Sequence, residues 1–289
     1  MEIISQRKLI KDFSILPRKN MGQNFIVQEE ILNRIVECCG FTKEDIVVEI
    51  GAGLGGLTCR LAGQVKGVFA IEKDGKLATL LRTKIIRKSN VKIIHQDALR
   101  FDYQRAANEA GQALNVVGNL PFYIASLLTI ELLKKGDHIS RMVLMYQKEV
   151  AERITAQPGN KNYGFLTLMA NLYADSVVVL SVGKEAFYPR PKVESKVIKF
   201  NLLPFPREPL EDEKFFAVFV KTLFSQRRKT LKNAIKAIGT FSSEFIERLF
   251  TEGTIDPNKR PETLTLREFV FLSNQLFLHL KIMNISPNP

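Results

Sequence analysis

Between Ile46 and Ile154, apolar runs of strand length alternate with helical patterns, and this alternation constrains the fold more than any other feature of the chain. Ile46–Ile50 reads as a strand leading into a glycine-rich turn and a helix through Leu61. Val68–Ile71 is a strand with a helix through Ile86, and Val91–His95 is a third strand. Leu114–Val117 precedes a helix around Ala125–Leu133, and Arg141–Tyr146 precedes one at Glu149–Ile154. Strands that alternate with helices in this way build a parallel sheet with helices on both faces.

Two later strands break the pattern. Val177–Val182 and Lys196–Leu202 are joined by thirteen residues that include Pro189 and Pro191, too short and too interrupted for a crossover helix. They are expected to pair antiparallel, as a hairpin. Seven strands with an antiparallel last one resemble the Rossmann-like fold of the S-adenosylmethionine (SAM)-dependent methyltransferases. Gln28–Cys39 reads as an amphipathic helix ahead of the sheet. Pro204–Pro209 reads as a linker, and Phe215–Ile238 and Leu266–Leu280 carry helical spacing. Residues 1–205 are thus expected to form an α/β domain with a basic N-terminal arm (Arg7, Lys8, Lys11, Arg18, Lys19), and 206–289 a small all-α domain.

A hydrophobic content of 45% supports a sizeable core. The net charge of +12 favours a polyanionic partner, nucleic acid or an anionic membrane surface. Neither a transmembrane run nor a secretory signal is expected, and Glu2 and Asp12 argue against a transit peptide. Cys38, Cys39 and Cys59 form no C-x-x-C, and His95, His138 and His279 are scattered, so no disulfide framework and no metal are expected. A reducing, cytoplasmic setting fits.

Val47-Val48-Glu49-Ile50-Gly51-Ala52-Gly53 is a buried strand running into a glycine turn, where the backbone can approach a ligand. Glu72 ends the next strand and suits a ribose diol. Asp97 ends the third and can reach an adenine amino group in the same crevice. Gly51, Gly53 and Gly56 also satisfy the dinucleotide fingerprint, so the glycine turn alone leaves methyl donor, dinucleotide and structural accident open. Asn119-Leu120-Pro121-Phe122, after the fourth strand, decides among them. The Asn119 side chain and the Leu120 carbonyl can accept protons from an exocyclic amine, and Phe122 offers a stacking face. A dehydrogenase has no need of these groups there.

Phe187 and Tyr188 lie in the proline-stiffened loop before Ser195, and Phe187 is expected either to wall a flipped base or to plug an interface. Gln226-Arg227-Arg228-Lys229 is followed by Lys232 and Lys236. Arg228, Lys232 and Lys236 recur at helical spacing and would line one face. With the basic arm, phosphate contact is the expectation for Arg227, Arg228, Lys229 and Lys232.

Gly22-Gln23-Asn24-Phe25, Val48 through Gly53, Gln96-Asp97-Ala98, Gly118 through Phe122, Gln147-Lys148-Glu149-Val150, Phe187 through Ser195, and Gln226 through Lys229 occur in this order. Together they resemble the ribosomal RNA adenine N6-dimethyltransferases, and among these the bacterial small-subunit (16S) enzymes of KsgA type. The resemblance spans nearly the whole chain. It implies SAM held by Asn24, Ile26, Gly51, Glu72, Asp97 and Asn119, with Asn119, Leu120, Phe122 and Phe187 around the target base. It further implies a monomer that dimethylates two adjacent adenosines in a hairpin loop near the 3′ end of 16S RNA, late in small-subunit assembly. Phe122 departs from the Tyr usual in the bacterial enzymes, keeping the ring and losing a hydroxyl. The alternatives are a 23S adenine methyltransferase and a non-catalytic RNA-binding assembly factor.

Overall fold

The computed structural model describes residues 5–18, 21–239 and 241–283. The chain enters the fold through α1 (Gln6–Asp12) and the two-residue strand β1 (Phe25–Ile26), in a stretch that the sequence presents only as a basic arm. The amphipathic helix α2 (Glu29–Cys39) follows and buries Leu32, Ile35, Val36 and Cys39, as its apolar spacing dictates. The βα alternation then follows with β2 (Ile46–Ile50), α3 (Gly56–Leu61), β3 (Gly67–Glu72), α4 (Gly75–Leu80), which passes into a π-helical turn over Leu81–Ile85 where the sequence suggests one helix through Ile86, and β4 (Val91–His95). It continues through α5 (Tyr103–Ala110), a helix that the sequence analysis does not assign, then β5 (Leu114–Asn119), α6 (Ala125–Leu133), β6 (Ile139–Gln147) and α7 (Lys148–Ile154). After α8 (Phe165–Tyr173) come β7 (Ala174–Val182), β8 (Phe187–Tyr188) and β9 (Ser195–Leu202).

The seven-stranded sheet has the order β4-β3-β2-β5-β6-β9-β7, and β9 alone runs against its neighbours β6 and β7. Val47, Val48, Val116 and Val117 on the central strands have no solvent exposure, as a sheet covered on both faces requires. β2 is flanked by β3 on one side and β5 on the other, both parallel to it. The direction of strand succession therefore reverses at β2, and the crevice beyond its carboxyl end is where ligands of such sheets bind. Among the described residues no helix is long and apolar enough to cross a membrane, and Cys38, Cys39 and Cys59 are unlinked thiols.

The chain forms two compact units: Met1–Glu152 with Ala174–Phe205, and Arg153–Tyr173 with Pro206–Pro289. The sequence reading draws a single boundary at 205/206 and leaves 153–173 with the sheet. In the structure that segment belongs to the helical unit. There the Tyr163 hydroxyl donates to the Leu264 carbonyl at 2.8 Å, and Leu168, Met169 and Leu172 of α8 are buried. α8 is almost entirely apolar and runs into β7 with no polar break, so periodicity alone does not reveal it.

The rest of the helical unit is α9 (Glu213–Ser225), α10 (Leu231–Lys236), α11 (Ser243–Gly253) and α12 (Leu266–Ile282). Phe216, Phe219, Leu223, Ile246, Phe269 and Leu276 form its interior. A capping box between Thr265 and Glu268 starts α12. The single helix read over Phe215–Ile238 is in fact two. The N–H groups of Leu231 and Lys232 donate to the carbonyls of Lys259 (2.8 Å) and Pro257 (3.1 Å), which takes them out of any continuous helical ladder.

Candidate active site

At the carboxyl end of β2 the chain turns through Gly51, whose φ of 74° suits glycine. The Ile71 carbonyl accepts from both Gly51 N–H (2.9 Å) and Ala52 N–H (3.1 Å), which pins the turn over the end of β3. On the other side β5 comes so close that a Cβ on Gly118 would stand 2.6 Å from the Ile50 carbonyl oxygen, so a glycine is required there too. These two contacts bring the ends of β2, β3 and β5 together, and β4, paired parallel to β3, adds its end to the same crevice.

Each strand end delivers a polar side chain to it. Glu72, 7% exposed, accepts from Gly53 N–H on one oxygen and Asp74 N–H on the other, both at 2.8 Å. Burial raises its pKa, and the two backbone N–H groups act against the rise. Asp97 accepts from Leu99 N–H at 3.0 Å and pairs with the Lys73 ammonium at 2.8 Å. The hydrogen bond from Lys73 holds its carboxyl below the usual range. Asn119 donates its Nδ2 to the Asn24 carbonyl at 2.8 Å. With Nδ2 so engaged, Oδ1 is the atom left to accept from an incoming donor.

Deeper in the same cleft lies Glu49, 2% exposed, which accepts from the Thr58 hydroxyl at 2.5 Å. Burial pushes its carboxyl up to about 8. The cleft encloses about 1020 Å³, its open mouth included, and is lined by Asn24, Ile26, Gly51, Glu72, Asp97, Asn119, Leu120 and Phe122 among others. All six expected cofactor residues therefore converge, and so do three of the four expected around the base.

The fourth does not. Phe187 is 4% exposed, belongs to the hydrophobic core with Phe25 and Ile26, and does not line the cleft. The cause is a strand pairing that the sequence does not announce. β8 lies antiparallel to β1 with Phe187 opposite Ile26, and the period-2 alternation turns Phe187 inward and leaves its neighbour Tyr188 43% exposed.

The N-terminal segment is also more than a tether. Asp74, 3% exposed, accepts from Gln23 Nε2 at 3.0 Å and pairs with the Arg18 guanidinium at 3.3 Å. Gln6 is buried at 3% and forms part of the cleft wall. Arg7, Lys8 and Lys11 stay exposed on α1, while Lys19 lies outside the described residues. Lys73, Asp74 and Arg18 carry no motif, and only the Asp-Gly step ahead of α4 hints at a capping role for Asp74.

In the helical unit, Arg228 and Lys229 are exposed and Lys232 is half-buried, but the shared helical face read for Arg228, Lys232 and Lys236 is absent because 226–230 is not helical. Arg227 is not a surface cation either. It donates to the carbonyls of Lys161 (3.0 Å) and Tyr163 (2.7 Å) and lies over the Phe224 ring.

Comparison with known proteins converges on one reading. A family model described as ribosomal RNA adenine dimethylase matches residues 16–276. The ribosomal RNA small subunit methyltransferase A of Clostridium acetobutylicum is 38% identical over 277 residues, covering 96% of this chain and 100% of that protein. That of Moorella thermoacetica is 40% identical over 275 residues, covering 93% and 95%. Among solved structures, a dimethyladenosine transferase from Plasmodium falciparum superposes with a TM-score of 0.68 at 25% identity, covering 89% of this chain and 98% of that one. The 23S rRNA methyltransferase ErmE shares the fold, with a TM-score of 0.67 at 20% identity over 87% and 98%.

Proposed function

The chain belongs to the ribosomal RNA adenine dimethylase family, and on that premise we propose that it converts two adjacent adenosines, in a hairpin loop near the 3′ end of small-subunit RNA, to N6,N6-dimethyladenosine. The observation that carries this reading is the orientation of Asn119, whose Nδ2 is spent on the Asn24 carbonyl.

The residues present fit SAM. Two carboxylates at adjacent strand ends, a left-handed backbone at Gly51 that favours glycine, and a cleft of the right size stand together. Glu72 would take the ribose hydroxyls, Asp97 the adenine amino group, and Gly51, Asn24 and Ile26 the remaining contacts. When bound, SAM supplies a methyl group already activated by its sulfonium.

The chain's own task is to hold a poor nucleophile in place. The lone pair of adenine N6 is delocalised into the ring. Asn119 Oδ1 and the Leu120 carbonyl accept the N–H protons and localise that lone pair, while Phe122 fixes the ring plane. Orientation of this kind provides most of the acceleration. The N6 proton becomes acidic once nitrogen is alkylated, so no strong base is called for. The base leaves its stack first, which costs about a few kcal/mol and less in a hairpin loop.

Arg228, Lys229 and Lys232 of the helical unit, with Arg7, Lys8 and Lys11, would contact phosphates, and Arg227 would hold the loop beside them. The protein would act in the cytoplasm, as a monomer, on an immature small subunit. Incubation with SAM and small-subunit particles from cells lacking this modification, followed by mass spectrometry of the RNA, is expected to reveal two dimethyladenosines. Particles that stay unmethylated would overturn the reading, and methylation of large-subunit RNA instead would assign a different target.

A further inference from the structure

Tyr123 follows Phe122 at the rim of the cleft, and no step above uses it. It lines the cleft and is 56% exposed, a large apolar surface to leave beside a reaction centre. The ring is not loose. Its Cδ1 lies 3.5 Å from where a Cβ on Gly22 would stand, so it rests against the Gly22 backbone. The Lys73 ammonium, paired with Asp97, lines the same cleft. One turn further along the chain Leu127 is 53% exposed, and Leu99, on the turn that packs beside α6, is 38% exposed with Arg100 exposed next to it.

Of these, Tyr123 and Lys73 line the cleft, and Leu99, Arg100 and Leu127 follow its lining residues Ala98 and Ile124 in the chain. An aromatic face edged with positive charge suits a nucleotide: the ring takes the face of any base, and the cations take its phosphate. Chain neighbours lie ~3.8 Å apart at Cα, and Phe122 and Tyr123 both line the cleft, so the two rings lie within a nucleotide's reach of each other.

We propose that Tyr123 stacks the nucleotide adjacent to the adenosine being methylated. This rests on the dimethylase reading, in which the two targets are neighbours. Extruding one adenosine removes a stacking partner from the next. A second ring at the rim replaces that partner, holds the loop open and positions the extruded base. Tyr123 is thus a substrate-positioning residue distinct from the Asn119–Phe122 set.

The test is a cycle between protein and RNA at saturating SAM. kcat/KM is measured for the parent protein, Tyr123→Ala, Tyr123→Phe and Tyr123→Leu on small-subunit particles with the intact adenosine pair, and on particles whose RNA is abasic next to the target. On intact particles Tyr123→Ala and Tyr123→Leu are expected to lose about tenfold or more, the range of one lost base–aromatic stack. Tyr123→Phe is expected to keep its activity. On abasic particles all four proteins should agree within about twofold, because the stack is already gone. Equal losses on both particles, or no loss on either, would overturn the proposal, since a purely structural role does not depend on the flanking base. A parent protein inactive on intact particles would instead bring down the dimethylase reading itself.

Discussion

The Asn119 amide donates to the Asn24 carbonyl across 2.8 Å, so a residue of the N-terminal segment sets which face of the Asn119 side chain meets the cleft. Two substitutions separate orientation from chemistry. Asn119→Ala removes the acceptor and is expected to lower methyl transfer by about 10²-fold or more, the usual cost of deleting one preorganised hydrogen-bonding group. SAM affinity, read by calorimetry, should weaken only a few-fold. Asn119→Asp keeps an acceptor but sets a carboxylate oxygen against the Asn24 carbonyl, so it should also lose activity. Full activity in Asn119→Ala would remove Asn119 from the reaction, and full activity in Asn119→Asp would show that the Asn24 carbonyl does not orient it.

Glu49 makes stability depend on pH in a definite direction. Burial raises its carboxyl from 4.5 to about 8, so between these values the folded protein holds a proton that the unfolded chain releases. Stability from this group is therefore complete below about 4.5 and is lost as pH rises through about 8. Relative to the parent, Glu49→Gln should gain stability progressively from pH 5 to 8, by on the order of a few kcal/mol, and then level off. Urea unfolding of both proteins at several pH values gives the slope, which is independent of any fixed cost of the substitution. Parallel stability curves would show that Glu49 titrates normally.

What could be read in the sequence was local. Glu72, Asp97 and Asn119 each stand at or just past the end of an apolar run, and strand ends in a parallel sheet share one crevice. Asp74 carries no such local signal, because its partners Arg18 and Gln23 are remote in the chain and meet it only once β1 and β3 are in place. Phe187 was ambiguous for a related reason. An aromatic in a proline-stiffened loop faces inward or outward according to a register, and that register is set by β1. The break after Ser225 is tertiary as well, because carbonyls at 257 and 259 capture the N–H groups that a continuous helix would have used. The basic cluster thus contains one structural cation that composition could not distinguish from its neighbours.

That cation leads to a prediction. Arg227 makes two hydrogen bonds to backbone carbonyls of the 161–163 loop, whereas Arg228 and Lys229 are exposed. Arg227→Ala should destabilise the protein by about 2–3 kcal/mol, the scale of hydrogen bonds made by a charged donor. Arg228→Ala and Lys229→Ala should leave thermal stability unchanged. Each of these two should reduce the salt slope of RNA binding by about one. A normal melting temperature for Arg227→Ala would show that its carbonyl contacts do not hold the loop.

Asp74 ties the N-terminal segment to the cleft through two groups, Gln23 Nε2 at 3.0 Å and the Arg18 guanidinium at 3.3 Å, and it also caps α4 by accepting from the Lys76 N–H at 2.9 Å. Gln23 neighbours Asn24, which orients Asn119. Loosening Asp74 should therefore reach the reaction centre through the backbone. Asp74→Asn keeps an oxygen for the helix cap and loses the ionic partner, while Asp74→Ala loses both. SAM dissociation, followed by stopped flow, is expected to quicken in the order parent, Asp74→Asn, Asp74→Ala, with the alanine variant about tenfold faster for a loss near 1.4 kcal/mol. Arg18→Ala should resemble Asp74→Asn, because both remove the same ion pair and leave the cap intact. If Asp74→Ala quickens dissociation while Arg18→Ala and Asp74→Asn do not, the cap on α4 matters and the N-terminal segment does not close the cleft.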